Sequence, residues 1–131
     1  MCKLESFGNC DPETKDREYC IFHKPNKSEE EARLFWRKFL ERYKPKRKKE
    51  FDEHLKLEVE KLIFSSELNC KEFVFPDFYG FGDIVFIFEE NVDFENCTFE
   101  GYSYFDGSTF KKNANFRNAT FKRPASFEFL L

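Results

Sequence analysis

Eight phenylalanines constrain this chain more than any other feature. Phe88, Phe94, Phe99, Phe105, Phe110, Phe116, Phe121 and Phe127 follow one another in alternating steps of six and five, so the period beneath them is eleven. A small residue stands two places before most of them: Cys97, Ser103, Ser108, Ala114, Ala119 and Ala125. Self-similarity at a fixed period is the signature of a solenoid. In extended backbone, residues two apart point to the same side, so each small residue and its Phe face inward together and the chain must then turn. Asn96, Gly107 and Asn118, each two places after a Phe, are residues that tolerate the left-handed backbone of a corner.

This small-x-Phe unit resembles the pentapeptide-repeat family, in the subclass with Phe at the centre of the repeat, over about a third of the chain. The resemblance implies an α+β protein whose C-terminal part is a short right-handed quadrilateral β-helix, with central Phe residues stacked along the axis. Four units of five or six residues give a coil of 22, so Phe88 should stack with Phe110, Phe94 with Phe116, Phe99 with Phe121 and Phe105 with Phe127. Coils should lie ~4.8 Å apart, and residues 88–131 hold about two. Burying a Phe contributes roughly 1.5–3 kcal/mol, while ordering each residue costs about 1–2 kcal/mol of backbone entropy. Eight rungs cannot stabilise so long a segment alone, and a solenoid this short needs caps. The expected division is a metal-binding segment over residues 1–27, a helical hairpin cap over 28–66 and the β-helix over 67–131. The chain closes on Phe127-Glu128-Phe129-Leu130-Leu131 without a polar cap, which reads as a truncated array or a face for homodimerisation.

Residues 1–23 carry three of the five cysteines and one of the two histidines. Cys2, Cys10, Cys20 and His23 give C-x7-C-x9-C-x2-H. Zinc takes three thiolates and an imidazole tetrahedrally, and a metal would staple a polar loop of Gly8, Asn9, Asp11 and Pro12 that offers little core. The segment looks like a zinc knuckle, and its YCIFH ending is similar to segments that precede some pentapeptide-repeat arrays. The alternative is three reduced cysteines and a packed His23. The odd cysteine count and the missing signal peptide point to thiols or a metal in preference to a disulfide framework, and no run suits a membrane span, so a cytoplasmic protein is expected.

Ser28-Glu29-Glu30-Glu31 reads as a capping box. Trp36, Phe39, Leu40 and Tyr43, with Phe35 beside them, make an amphipathic helix that Pro45 ends. Phe51, Leu55, Val59, Leu62 and Ile63 suggest a second helix from about Arg47, antiparallel to the first. The link contains Lys44, Lys46, Arg47, Lys48 and Lys49, a run that either contacts phosphates or is a solvated connection. The texture then becomes strand-like, with Phe73 and Phe75, then Ile84, Phe86 and Phe88, at alternating positions.

Catalysis needs a nucleophile with its base, or two carboxylates in defined environments, and nothing repeats in that way. His54 reads as solvated, Cys97 as an inward small residue, Cys70 as a strand-entry residue, and Thr98, Thr109 and Thr120 as outward β-formers. The leading expectation is a non-enzymatic scaffold that binds a protein partner. A nucleic-acid binder using the zinc segment and the basic link is one alternative. Another comes from the family resemblance: a DNA mimic that protects topoisomerases. The ladder from Phe88 onward carries seven acidic and five basic residues, a weak imitation of a phosphate backbone.

Overall fold

In this computed structural model, residues 1–53, 55–78 and 84–127 are described; His54, Gly80, Gly82 and the Leu130-Leu131 end fall outside them. An N-terminal segment of turns, with a 3-10 turn at Glu5–Phe7, leads into helix α1, Glu29–Tyr43. Both bonds of the capping box form: Ser28 Oγ accepts from the Glu31 amide at 3.2 Å, and the Ser28 amide donates to Glu31 Oε1 at 2.9 Å. Lys44 ends the helix in left-handed backbone, as Pro45 requires a stop at the residue before it.

The second helix does not form. Strand β1, Lys46–Asp52, and strand β2, Leu57–Phe64, pair antiparallel as a hairpin. Phe51, Leu55, Val59 and Ile63 are spaced by four, which is even as well as close to a helical turn, so the spacing alone fits both periods. The environment decides: Glu60–Phe64 pair in parallel with strand β5, Ile84–Phe88, and turn residue Lys56 is left-handed at φ 59°. The basic run is therefore an edge strand and not an interhelical link.

Two-residue strands follow: β3 Leu68–Asn69, β4 Val74–Phe75, β6 Val92–Asp93, β7 Thr98–Phe99, β8 Ser103–Tyr104, β9 Thr109–Phe110, β10 Ala114–Asn115, β11 Thr120–Phe121 and β12 Ala125–Ser126. Among the described residues they build, with β1, β2 and β5, four sheets in the orders β1-β2-β5-β9, β3-β6-β10, β4-β7-β11 and β8-β12, and every pairing there except β1 with β2 is parallel. The strands thus lie in tiers. From the tier of β5 to β8 down to the tier of β9 to β12 the register offset is 22 residues, as in Ala114 opposite Val92 and Thr120 opposite Thr98. Phe110, Phe121 and Phe127 stack below Phe88, Phe99 and Phe105 with ring centroids 4.9, 4.6 and 5.0 Å apart, and Phe116 lies below Phe94 at 5.0 Å with its ring tilted by 32°.

The array begins earlier than its regular spacing. Strands β2, β3 and β4 form an upper tier in which Phe64 stacks on Phe88 at 5.3 Å and Phe75 on Phe99 at 4.8 Å. Its offset is 24, as in Leu68 opposite Val92. Two extra residues between Phe75 and Phe88 break the period there. The upper tier also exchanges two sizes: the register sets Cys70 above Phe94 and Phe73 above Cys97. The large ring at a small position faces upward and stacks on Phe22 at 4.6 Å. Above it α1 covers the ladder, with Phe35 edge-on to Phe75 at 5.3 Å and Phe39 edge-on to Phe64 at 6.0 Å.

Phe88, Phe94, Phe99 and Phe105 are buried, whereas Phe110 and Phe116 are partly covered and Phe121 and Phe127 are each 36 % exposed. Charge is tiered as well. Between Ile84 and Asp106 stand six carboxylates and no Lys or Arg; between Gly107 and Phe127 stand five cations, Lys111, Lys112, Arg117, Lys122 and Arg123, and no carboxylate. Four ion pairs cross the tiers, each at a separation of 22: Glu89 with Lys111, Glu90 with Lys112, Glu95 with Arg117 and Glu100 with Lys122, at 2.7–3.9 Å.

Candidate metal centre

The turns of residues 1–23 bring Cys2, Cys10, Cys20 and His23 together, with all four ligand atoms within 4.8 Å of one another. Local backbone explains the convergence. The His23 and Lys24 amides both donate to the Cys20 carbonyl, at 3.1 and 3.0 Å, which closes the C-x2-H turn. The Cys2 amide donates to the Lys15 carbonyl at 2.6 Å and places the chain's start beside that turn. Thr14 secures the loop from within, its hydroxyl donating to Asp11 at 2.8 Å and accepting from the Ile21 amide at 2.9 Å.

His23 Nδ1 faces the sulfurs of Cys2, Cys10 and Cys20 at 3.4, 3.7 and 3.3 Å. Ideal zinc bonds at tetrahedral angles put nitrogen and sulfur about 3.5 Å apart. The donor set and the spacing therefore fit zinc. Burial holds the His23 imidazole neutral, its pKa lowered to about 4, and a neutral imidazole is the form that ligates. Burial also raises the Cys20 and Cys10 thiols, the neighbouring sulfurs adding to the effect at Cys10. At Cys2 burial acts in the same direction, but hydrogen bonds from the amides of Cys20 and Leu4 and from the Cys10 and Cys20 side chains together outweigh it, and the thiol lies below its usual value. Three thiolates in so small a space repel one another, and a divalent cation is the partner that would let all three ionise.

Two residues that sequence reasoning missed hold this group in place. Buried Asn9 accepts from His23 Nε2 at 2.9 Å through Oδ1, and its Nδ2 donates to the carbonyls of Asn69 at 3.1 Å and Lys71 at 2.9 Å. Arg42, from the last turn of α1, donates to the carbonyls of Asn9 and Cys10 at 2.7 and 2.6 Å and lies over the Phe22 ring at 4.5 Å. Nothing in the sequence singles out Asn9 beyond its place next to Cys10, and Arg42 looks like any surface cation of an amphipathic helix. The loop read as having little core in fact buries Asn9 and Asp11 to 5 % and 4 % exposure.

The other sequence candidates lie elsewhere. Lys44 caps α1, and Lys46, Arg47, Lys48 and Lys49 occupy exposed positions on β1; Arg47 pairs with Glu60 at 2.6 Å and Lys48 with Glu50 at 3.2 Å. Cys70 and Cys97 are fully buried, and the Cys97 thiol donates to the Cys70 carbonyl at 2.8 Å. Neither approaches the N-terminal group. Among the described residues no helix is long and apolar enough to cross a membrane.

A family model described as pentapeptide repeats, nine copies, matches residues 86–129. No curated protein and no solved structure matches the chain. The matched stretch is the one whose Phe ladder and 22-residue register are seen in the fold, so the C-terminal third of the chain is similar to pentapeptide repeats with Phe at their centre, and a clustered Cys3His group precedes it.

Proposed function

We propose that this protein is a non-enzymatic interaction scaffold: a right-handed quadrilateral β-helix whose upper end is closed by a zinc-stapled segment and one helix. The four sheets are read as its four faces and the tiers as three coils, the first one incomplete, in place of the two that regular spacing alone suggests. In place of the expected division at 28–66 and 67–131, the array is read as beginning at β2, with α1 as the helical cap and β1 as an edge strand added to the first coil. The observation that carries the zinc staple is the approach of His23 Nδ1 to three sulfurs at 3.3–3.7 Å. The observation that supports protein binding is the incompletely covered lower rung, Phe121 and Phe127, ringed by five cations. It accommodates a protein partner or a second copy of the chain.

Native mass spectrometry with and without a chelator tests both parts. One zinc per chain that the chelator removes is expected, and the same spectrum reads the oligomeric state. A metal-free chain from a reducing preparation would refute the staple. The DNA-mimic reading loses support from the crossing ion pairs, because four of the six carboxylates in that belt are each paired with a cation of the tier below. Nucleic-acid binding through β1 keeps one specific observation, the exposure of Lys46 to Lys49.

A further inference from the structure

A solenoid has an exposed strand edge at each end, and the upper edge here is filled group by group. In the sheet of β3, β6 and β10, the carbonyls of Asp93 and Glu95 accept the amides of Cys70 and Glu72 from the tier above, at 2.9 and 3.0 Å. One tier up, register puts Asn69 where Asp93 stands, and Lys71 where Glu95 stands. Among the described residues no further strand lies above β3 in its sheet. The two hydrogens of the Asn9 amide are delivered to these same two carbonyls, at 3.1 and 2.9 Å. Asn9 thus reproduces with one side chain the pair of backbone donors that another tier would have supplied. The adjacent sheet is treated alike, the Val74 amide donating to the Phe22 carbonyl at 2.8 Å and Lys27 Nζ to the Val74 carbonyl at 2.6 Å.

The other end of the Asn9 side chain orients the candidate metal centre. Its Oδ1 accepts from His23 Nε2 at 2.9 Å, which sets the tautomer that leaves Nδ1 free of hydrogen and facing the sulfurs. A planar amide cannot shift one end without the other. We propose that Asn9 is the joint between metal occupancy and the closure of the array's upper edge: zinc at Cys2, Cys10, Cys20 and His23 fixes His23, His23 fixes the Asn9 amide, and the amide seals the carbonyls of Asn69 and Lys71. Arg42 holds the Asn9 backbone in reach from α1, so the helix is fastened by the same loop. The inference rests on the zinc reading above. Linkage is reciprocal: metal tightens the edge, and an intact edge tightens metal.

The experiment compares wild type, Asn9→Ala, Asn9→Asp and Phe39→Leu. Zinc affinity is read by competition with a chromogenic chelator, the ligand field by cobalt substitution, and the edge by hydrogen exchange at the Cys70 and Glu72 amides. Losing such an outer partner typically weakens metal binding 10–100-fold, and that loss is expected for Asn9→Ala. In wild type, chelation should speed exchange at Cys70 and Glu72; in Asn9→Ala both amides should exchange quickly with or without zinc. Asn9→Asp keeps an acceptor for His23 but brings no N–H to the carbonyls, so its cobalt spectrum should stay close to wild type while its edge amides stop responding to metal. Phe39→Leu thins the cap without touching the joint, and its zinc affinity should be unchanged although its stability falls. Zinc bound by Asn9→Ala with wild-type affinity, or edge exchange in wild type that ignores chelation, overturns the joint and leaves the zinc site standing. A wild type that takes up no zinc overturns both. Should Asn9→Ala fail to fold, Asn9→Asp decides by the same two readouts.

Discussion

Phe99 sits at the middle of the best-aligned stack. Its ring is fully buried, lies 4.8 Å below Phe75 and 4.6 Å above Phe121, and is within 8° of parallel to both. Truncation to alanine removes a side chain whose burial contributes roughly 1.5–3 kcal/mol. It also leaves a gap between two rings held by backbone ladders on either side, which cannot close. Such sites fall at the upper end of the range for buried aromatics, so Phe99→Ala should cost about 4–5 kcal/mol. Phe121 belongs to the same stack but is 36 % exposed, and among the described residues Phe99 is the one ring stacked on it. Scaling the burial contribution by the covered fraction, and allowing the vacated site to fill with water, gives about 1–2 kcal/mol for Phe121→Ala. Urea unfolding of the zinc-loaded proteins, followed by circular dichroism, measures both differences at a common slope. Equal costs at the two positions would refute the argument that rung value depends on tier, and with it the assignment of Phe121 to an incompletely covered end.

Three further expectations concern the corner, the imidazole and the edge strand. Glu72 occupies left-handed backbone at φ 64°, the position filled by Asn96 and Asn118 one and two tiers below; Glu72→Asn should raise stability by about 1 kcal/mol, and an unmoved urea midpoint would sink the idea. In chelator-treated protein, the buried His23 keeps its pKa near 4 while the unfolded chain titrates near 6.5, so the unfolded state holds more protons between these values. Stability of the apo form should therefore fall as pH drops from about 6.5 to 4 and level off below, a fall that His23→Gln should abolish. Replacing Lys46, Lys48 and Lys49 by Glu should remove any retention on heparin, and retention that persists would move the nucleic-acid reading away from β1.

Legibility in the sequence followed locality. The capping box, α1 and the eleven-residue period were readable because each is a short-range pattern, and the rung pairs followed from arithmetic. Positions 51, 55, 59 and 63 misled because a spacing of four serves a strand as well as a helix, and the deciding partner, β5, lies more than twenty residues on. The upper tier was hidden by its two extra residues and by the exchange of Cys70 and Phe73, which remove both period and size pattern while register preserves the fold. The ligand set could be read from residue types, whereas Asn9 could not: its importance comes from two carbonyls sixty residues away. The charge belts escaped because summing over the whole ladder cancels them.

Those belts make ionic strength a test of the partner proposed for the lower rung. Screening shortens from about 30 Å at 0.01 M salt to about 10 Å at 0.1 M, and it acts with opposite sign on the two kinds of contact. Two copies meeting rung to rung would bring together two rings of Lys111, Lys112, Arg117, Lys122 and Arg123, only partly offset by the carboxylates of the tier behind. Their association should strengthen as salt is added. A partner presenting carboxylates to the same ring would be drawn in at low salt and released at high. A titration with sodium chloride thus reads, from the direction of its slope alone, whether the rung is matched to its own kind or to its complement.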